Sequence, residues 1–175
     1  DGTVYNNLGA NAQSFFAGDF AGDDFTTMYS VEYNNAGEDS LYSVDTTDGS
    51  STLIGVLAVT ASGDPATENW SGLSWDSTTG TMYGSSTNGT NSWLYTIDLG
   101  TATATLVGEI TNSALMIDIA FSPSGQLYGH DIGLDSILSV DKSTGAGTVI
   151  GATGFDANFA QGMDFDDSTN TLYLA

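Results

Sequence analysis

Residues 94–98 read Leu-Tyr-Thr-Ile-Asp, and after a short turn residues 104–108 read Ala-Thr-Leu-Val-Gly. This two-part phrase recurs. An earlier copy is Leu41-Tyr42-Ser43-Val44-Asp45 with Ser51-Thr52-Leu53-Ile54-Gly55, and a later one is Ile137-Leu138-Ser139-Val140-Asp141 with Gly147-Thr148-Val149-Ile150-Gly151. The copies begin 53 and 43 residues apart. Each phrase is a strand, a polar turn and a strand, and a period of this length gives room for four strands per repeat.

A second pair of strands precedes each phrase. First strands align on Phe20, Trp75, Phe121 and Phe165, and second strands on Met28-Tyr29, Met82-Tyr83, Leu127-Tyr128 and Leu172-Tyr173. The turns between them, at 76–80, 122–125 and 166–170, end in Gly or Asn, the residues that tolerate positive φ. The repeated aromatic, Met and Leu residues read as packing between neighbouring repeats. The expected fold is therefore all-β, a β-propeller or propeller-like array of four-stranded antiparallel blades, about three and a half in this chain. Blade one spans 14–60, blade two 61–111, blade three 112–154, and a partial blade four 155–175. Residues 1–13 form an N-terminal segment with one candidate strand near Thr3-Val4-Tyr5. In blade one the fourth strand is expected over Thr52–Ala58.

Composition agrees. Gly is 22 of 175 residues, about 13% where ~7% is usual, and only two prolines occur. No stretch combines helical apolar spacing with a capping signature. The charge narrows function further: 22 acids face one lysine (Lys142) and no arginine, a net −21. Such a surface repels phosphate backbones and anionic headgroups, so no nucleic-acid partner and no membrane insertion are expected. Most of the aspartates fall in turns, where Asp bonds its own backbone. The absence of cysteine removes disulfides, thiol catalysis and zinc–thiolate sites. An acidic, cysteine-free chain with no charged-then-apolar leader before Asp1 suits a secreted or cell-surface product whose signal has been removed, or a fragment.

Chemistry-bearing constellations are sparse. The one histidine, His130, ends a second strand beside Asp131; it reads first as a solvated turn residue, while a strand-end His in a propeller can also line the channel. No Gly-x-Ser-x-Gly elbow accompanies it. Without arginine, recognition of substrate carboxylates or phosphates has no forked donor. Asp118 and Asp164 lie on first strands, which border a propeller's channel. Asp118 sits where blades two and four carry Gly72 and Gly162. Calcium is the one metal that the hard oxygen ligands suit, with Asp19, Asp23 and Asp24, and Asp164, Asp166 and Asp167, as the densest candidates; no other cofactor is expected. Trp70 and Trp93 stand outside the recurring aromatic positions and are the candidates for sugar stacking. Asn69-Trp70-Ser71 and Asn88-Gly89-Thr90 are glycosylation sequons expected in loops, with the run Ser85–Ser92 as a further attachment surface.

The Leu-Tyr-x-(Ile/Val)-Asp, Thr-Gly, Thr-x-(Ile/Val)-Gly succession resembles the repeats of secreted bacterial β-propeller proteins, over roughly Ser14 to Ala175. That resemblance implies the fold and leaves activity open, since propellers host enzymes, lectin-like modules and scaffolds alike. Blade four stops after two strands, which leaves edges that associate unless covered. Closure by residues 1–11, truncation of a larger propeller, and completion by a neighbouring copy all fit. The leading expectation is a non-catalytic extracellular structural or adhesive protein that self-associates as an oligomer or fibre. The competing one is a carbohydrate-binding module, or a carbohydrate-active enzyme using channel carboxylates.

Overall fold

The computed structural model describes residues 13–33, 39–59, 69–158 and 162–175. Among them every regular element is a strand. The first sheet takes β1 (Phe15–Phe20), β2 (Thr27–Glu32), β3 (Ser40–Asp45) and β4 (Ser51–Val56) in chain order, all antiparallel. After the short β5 (Ala58–Val59) come β6 (Asn69–Asp76), β7 (Thr81–Thr87), β8 (Ser92–Asp98) and β9 (Thr103–Glu109), which form the second sheet. The third is β10 (Met116–Phe121), β11 (Leu127–Asp131), β12 (Ser136–Val140) and β13 (Gly147–Ala152), and β14 (Met163–Asp166) with β15 (Thr171–Leu174) makes a two-stranded fourth. The four sheets are the repeats that the sequence shows. The candidate strand near Thr3 lies outside the described residues.

Repetition extends to the irregularities. In each complete blade the register shifts once between the first two strands, at Phe15/Ala17, Trp70/Gly72 and Met116/Asp118, and once between the outer two, at Leu41/Tyr42, Leu94/Tyr95 and Ile137/Leu138. A bulge adds local twist, so the same bulge in each blade gives each sheet the same coil. The turns repeat as well. Asp45, Asp76, Asp141 and Asp166 each accept both the amide and the hydroxyl of the Ser or Thr two residues on, while Asp98 accepts the amides of Gly100 and Thr101. Gly80, Gly125 and Asn170 adopt φ of 67°, 78° and 52° at the predicted positions.

One predicted strand is divided. β4 ends at Val56, and Ala58–Val59 leaves the first sheet to pair in parallel with Thr103–Ala104 on the outer edge of blade two. The chain must pass that edge to reach the next innermost strand, and in passing it covers unpaired backbone groups. β6 also starts earlier than its repeat suggests, which puts the Asn69 sequon on a strand instead of in a loop.

The core lies between blades. Val31, Leu41, Trp70, Leu73, Met82 and Tyr95 pack blade one against blade two; Tyr83, Leu94, Met116, Phe121, Leu127 and Leu138 pack blade two against blade three. The Tyr83 ring meets Phe121 at 5.1 Å and Tyr128 meets Phe165 at 5.4 Å, so the repeated aromatics bridge neighbouring blades as expected. Each such large side chain, once fully buried, contributes about 1.5–3 kcal/mol.

Candidate functional site

First strands of consecutive blades adjoin one another, β1 with β6, β6 with β10 and β10 with β14. Being innermost, each has amides that no outer neighbour accepts. Side chains of the preceding blade take them up. Asp19 accepts the Phe20 amide on Oδ1 and the Trp75 amide of blade two on Oδ2, both at 2.7 Å. Asp118 repeats this with Ile119 and, across to blade four, Met163, both at 2.8 Å. Between blades two and three the acceptor is the Ser74 hydroxyl, 3.0 Å from the Phe121 amide. Asp19, Ser74 and Asp164 hold the same register place, each opposite the second-strand tyrosine. Asp164 accepts the Phe165 amide at 2.7 Å on Oδ1, and among the described residues its Oδ2 meets no donor.

At one end of these strands the four inner turns enclose a cavity of about 360 Å³. Asp19, Asp23, Asp164, Asp166 and Asp167 supply its carboxylates, and Phe20, Phe25, Trp75, Phe121 and Phe165 its aromatic surface. Burial pushes Asp19 up to about 6, against the pull of its two amide bonds; the nearby charges of Asp164 and Asp167 add to the rise. Burial likewise raises Asp118 to about 7, helped by Asp19 and Asp164. Asp164 is raised too, first by burial and then by Asp167. Asp19 and Asp118 therefore titrate closer to neutrality than an ordinary carboxylate.

Asp76 behaves oppositely. It is fully buried, which alone would raise it, yet Lys142, the hydroxyls of Thr78 and Thr79 and the Thr78 amide hold it below the usual carboxylate range. The ion pair with Asp76 ties blade three to blade two, and Lys142 also lies 5.5 Å above the Phe121 ring of its own blade.

The structure brings the two aspartate groups of the sequence together around one cavity, with Asp24 apart, where it accepts from the amide and hydroxyl of Thr26. Among the described residues no three acids or histidines converge in a geometry that would hold a metal. His130 is not a solvated turn residue. It lies wholly buried in β11, 6.2 Å from the Phe155 ring; among the described residues both ring nitrogens lack a hydrogen-bond partner, and burial lowers its basicity. Asp131 beside it accepts from Ser113, Leu115 and Leu134 instead. Trp70 is 5% exposed, its ring 4.9 Å from Tyr95, so it fills the space between blades one and two and offers no face for stacking. Trp93 is half-buried on β8. Asn69 and Asn88 are exposed, but Ser85, Ser86 and Ser92 are buried, so within the run Ser85–Ser92 the exposed turn 88–90 is the part open to attachment. Ser74 passed unnoticed in the sequence; its register with Asp19 was the available signal.

Adjacent four-stranded antiparallel sheets whose first strands are laced together side chain to backbone define a β-propeller-type protein. Residues 2–175 match the family described as a repeat of unknown function (DUF6923), and the chain belongs to that family. No curated protein matches the sequence. Among solved structures it is similar to a chain of a nidogen/laminin complex, at 16% identity and a TM-score of 0.65, covering 92% of this chain and 56% of that one. It is also similar to TolB from Acinetobacter baumannii, at 15% identity and 0.61, covering 99% and 40%. A third is a catalytically inactive virginiamycin B lyase from Staphylococcus aureus with quinupristin, at 13% and 0.61, covering 94% and 50%. The chain thus spans about half the length of the structures it matches, and the likeness is one of fold.

Proposed function

We propose that this chain is a non-catalytic extracellular propeller unit with a structural or adhesive role, and that it self-associates through its open blade edges. One observation carries the reading: Asp19 and Asp118, carboxylates on innermost strands, are engaged by backbone amides of the next blade and act as struts. The similarity to a chain of a nidogen/laminin complex supports an extracellular setting. A net charge of −21 favours solubility in a salty milieu, where self-repulsion is screened. Asn88, on an exposed turn, is the better placed of the two sequons for a glycan. Light scattering with negative-stain imaging tests the reading. Large particles or filaments are expected, and a compact monomer of 18.1 kDa at every concentration and salt would overturn self-association.

The channel-end cavity favours a second reading, a carbohydrate-binding or carbohydrate-active propeller. Aromatic faces beside carboxylates are what a sugar ring meets in a binding site, and the cavity has both. A glycan array decides here: saturable binding that Trp75→Ala abolishes would support it, and no binding by the parent chain would end it.

A further inference from the structure

The inner turn of blade one departs from its repeat. It runs over residues 21–26, where blade two has 77–80 and blade four 167–170, and the added length brings Asp23 and Phe25 to the cavity of about 360 Å³. Phe25 matches no recurring aromatic position. Its side chain is 67% exposed and meets the Phe20 ring edge-on at 5.2 Å. With the half-buried Phe20, Trp75 and Phe165 it gives the cavity a wall of ring surface. Carboxylates of two blades border the same space, Asp19 and Asp23 from the first, Asp164, Asp166 and Asp167 from the fourth. No lining residue is basic, and Lys142 is engaged by Asp76 at the junction of blades two and three. Burial, and then repulsion from neighbouring carboxylates, holds Asp19 and Asp164 above the usual range. The lining belongs to inner turns and the strand ends beside them, all of them described residues; β1 enters and β15 leaves at the opposite ends of their strands.

We infer that this cavity binds a small organic dication, a linear diamine whose ammonium groups pair with carboxylates of blades one and four while its alkyl body lies against the rings. Each half of the wall suits one half of such a ligand. A ring face attracts an ammonium through its quadrupole and takes a methylene chain out of water. A carboxylate accepts charge-assisted hydrogen bonds, and an oxygen already engaged by an amide keeps a second lone pair. The molecule receives one ammonium in this manner already: Lys142 pairs with the Asp76 carboxylate and lies 5.5 Å above the Phe121 ring. An inorganic ion has no use for the rings, and among the described residues no three acids converge to hold one. A neutral sugar would leave the like charges facing one another. The inference is independent of self-association and competes with the sugar reading for the same space.

The test uses the intact chain with 1,4-diaminobutane as probe, at about 0.15 M salt so that diffuse attraction is screened. Trp75 lines the cavity while Trp70 and Trp93 do not, so tryptophan fluorescence reports occupancy beside titration calorimetry. One saturable site is expected, with protons released on binding near pH 6, because a cation draws the proton from Asp19. Asp164→Asn should weaken binding about tenfold and Phe25→Ser about threefold. Both side chains are exposed, so neither change should move the melting curve. Asp141→Asn removes the same charge from an outer turn away from the cavity and should leave binding as it was. Absence of saturable binding, an equal loss in Asp141→Asn, or equal affinity for Mg2+ would overturn the inference, the last two by reducing it to counter-ion attraction. A neutral oligosaccharide that fills the cavity and resists displacement by the diamine would overturn it in favour of the sugar reading.

Discussion

Blades two and four carry nearly the same inner hairpin. Trp75-Asp76-Ser77-Thr78-Thr79-Gly80-Thr81-Met82-Tyr83 in one corresponds to Phe165-Asp166-Asp167-Ser168-Thr169-Asn170-Thr171-Leu172-Tyr173 in the other. Both turns are capped by the aspartate, and both end in a left-handed residue. Their burial differs sharply: Tyr83 is 8% exposed and Tyr173 61%, and every residue of β7 after Thr81 is buried while none of β15 is. Local sequence makes the hairpin; the neighbouring blades make it a core. Stability in such an array is a sum of modest intrinsic terms and large interface terms.

Substitutions at matched places should expose that division. A large effect is expected for Gly108→Val, whose side chain would have to displace the backbone of blade three; a loss of about 3 kcal/mol in urea unfolding is predicted. The same change at Gly55 should cost about 1–2 kcal/mol, since a side-chain methyl can yield there. Tyr83→Ala should cost about 3–5 kcal/mol by emptying a site in the core, whereas Tyr173→Ala should stay within about 0.5 kcal/mol. If the two tyrosine variants cost the same, the contrast between the blades is not one of interfaces. Lys142→Met should cost about 2 kcal/mol by leaving Asp76 buried without its cation, with three hydrogen bonds still in place.

Acidity separates the struts from the turns. Asp19 and Asp118 have folded pKa values near 6 and 7, above their unfolded value of 3.8. Between about pH 4 and 7 the folded chain therefore binds more protons than the unfolded one, and stability should rise as pH falls through that window. The exposed turn aspartates Asp24, Asp48, Asp98, Asp141 and Asp166 are shifted below 3.8, chiefly by hydrogen bonds from their own turns, so their contribution is lost only in stronger acid. Thermal melts should peak near pH 4–5, and Asp118→Asn should flatten the slope above the peak. A curve that rises toward neutrality would contradict the raised pKa values of the struts. The smallest effect is expected at Ala102, which holds φ of 55° where the matching turns have Gly49 and Gly145. Ala102→Gly relieves that strain and forfeits a buried methyl, for a net change within about 0.5 kcal/mol.

The repeats reveal what each blade does for itself: strand order, turn chemistry and the left-handed positions follow from residues that recur at fixed places. What joins the blades was harder to read. The acceptor that laces one first strand to the next is Asp19, then Ser74, then Asp118 two residues earlier in register, so no single motif marks it. Trp70 reads as free because it does not recur, and His130 as solvated because it ends a strand, yet a residue that breaks a repeat can fill a gap particular to one junction. The cavity aspartates are visible as two sequence groups; their meeting at one end of the first strands depends on how the inner turns of blades one and four come together.

Every lacing bond described here runs one way along the chain, from a side chain of an earlier blade to an amide of the later one. The contact is thus polar, like a hook and its eye, and Asp164 presents a hook. Two surfaces of this kind cannot satisfy one another by facing like to like. Any particle extended through such contacts would carry two unlike ends and grow with a direction.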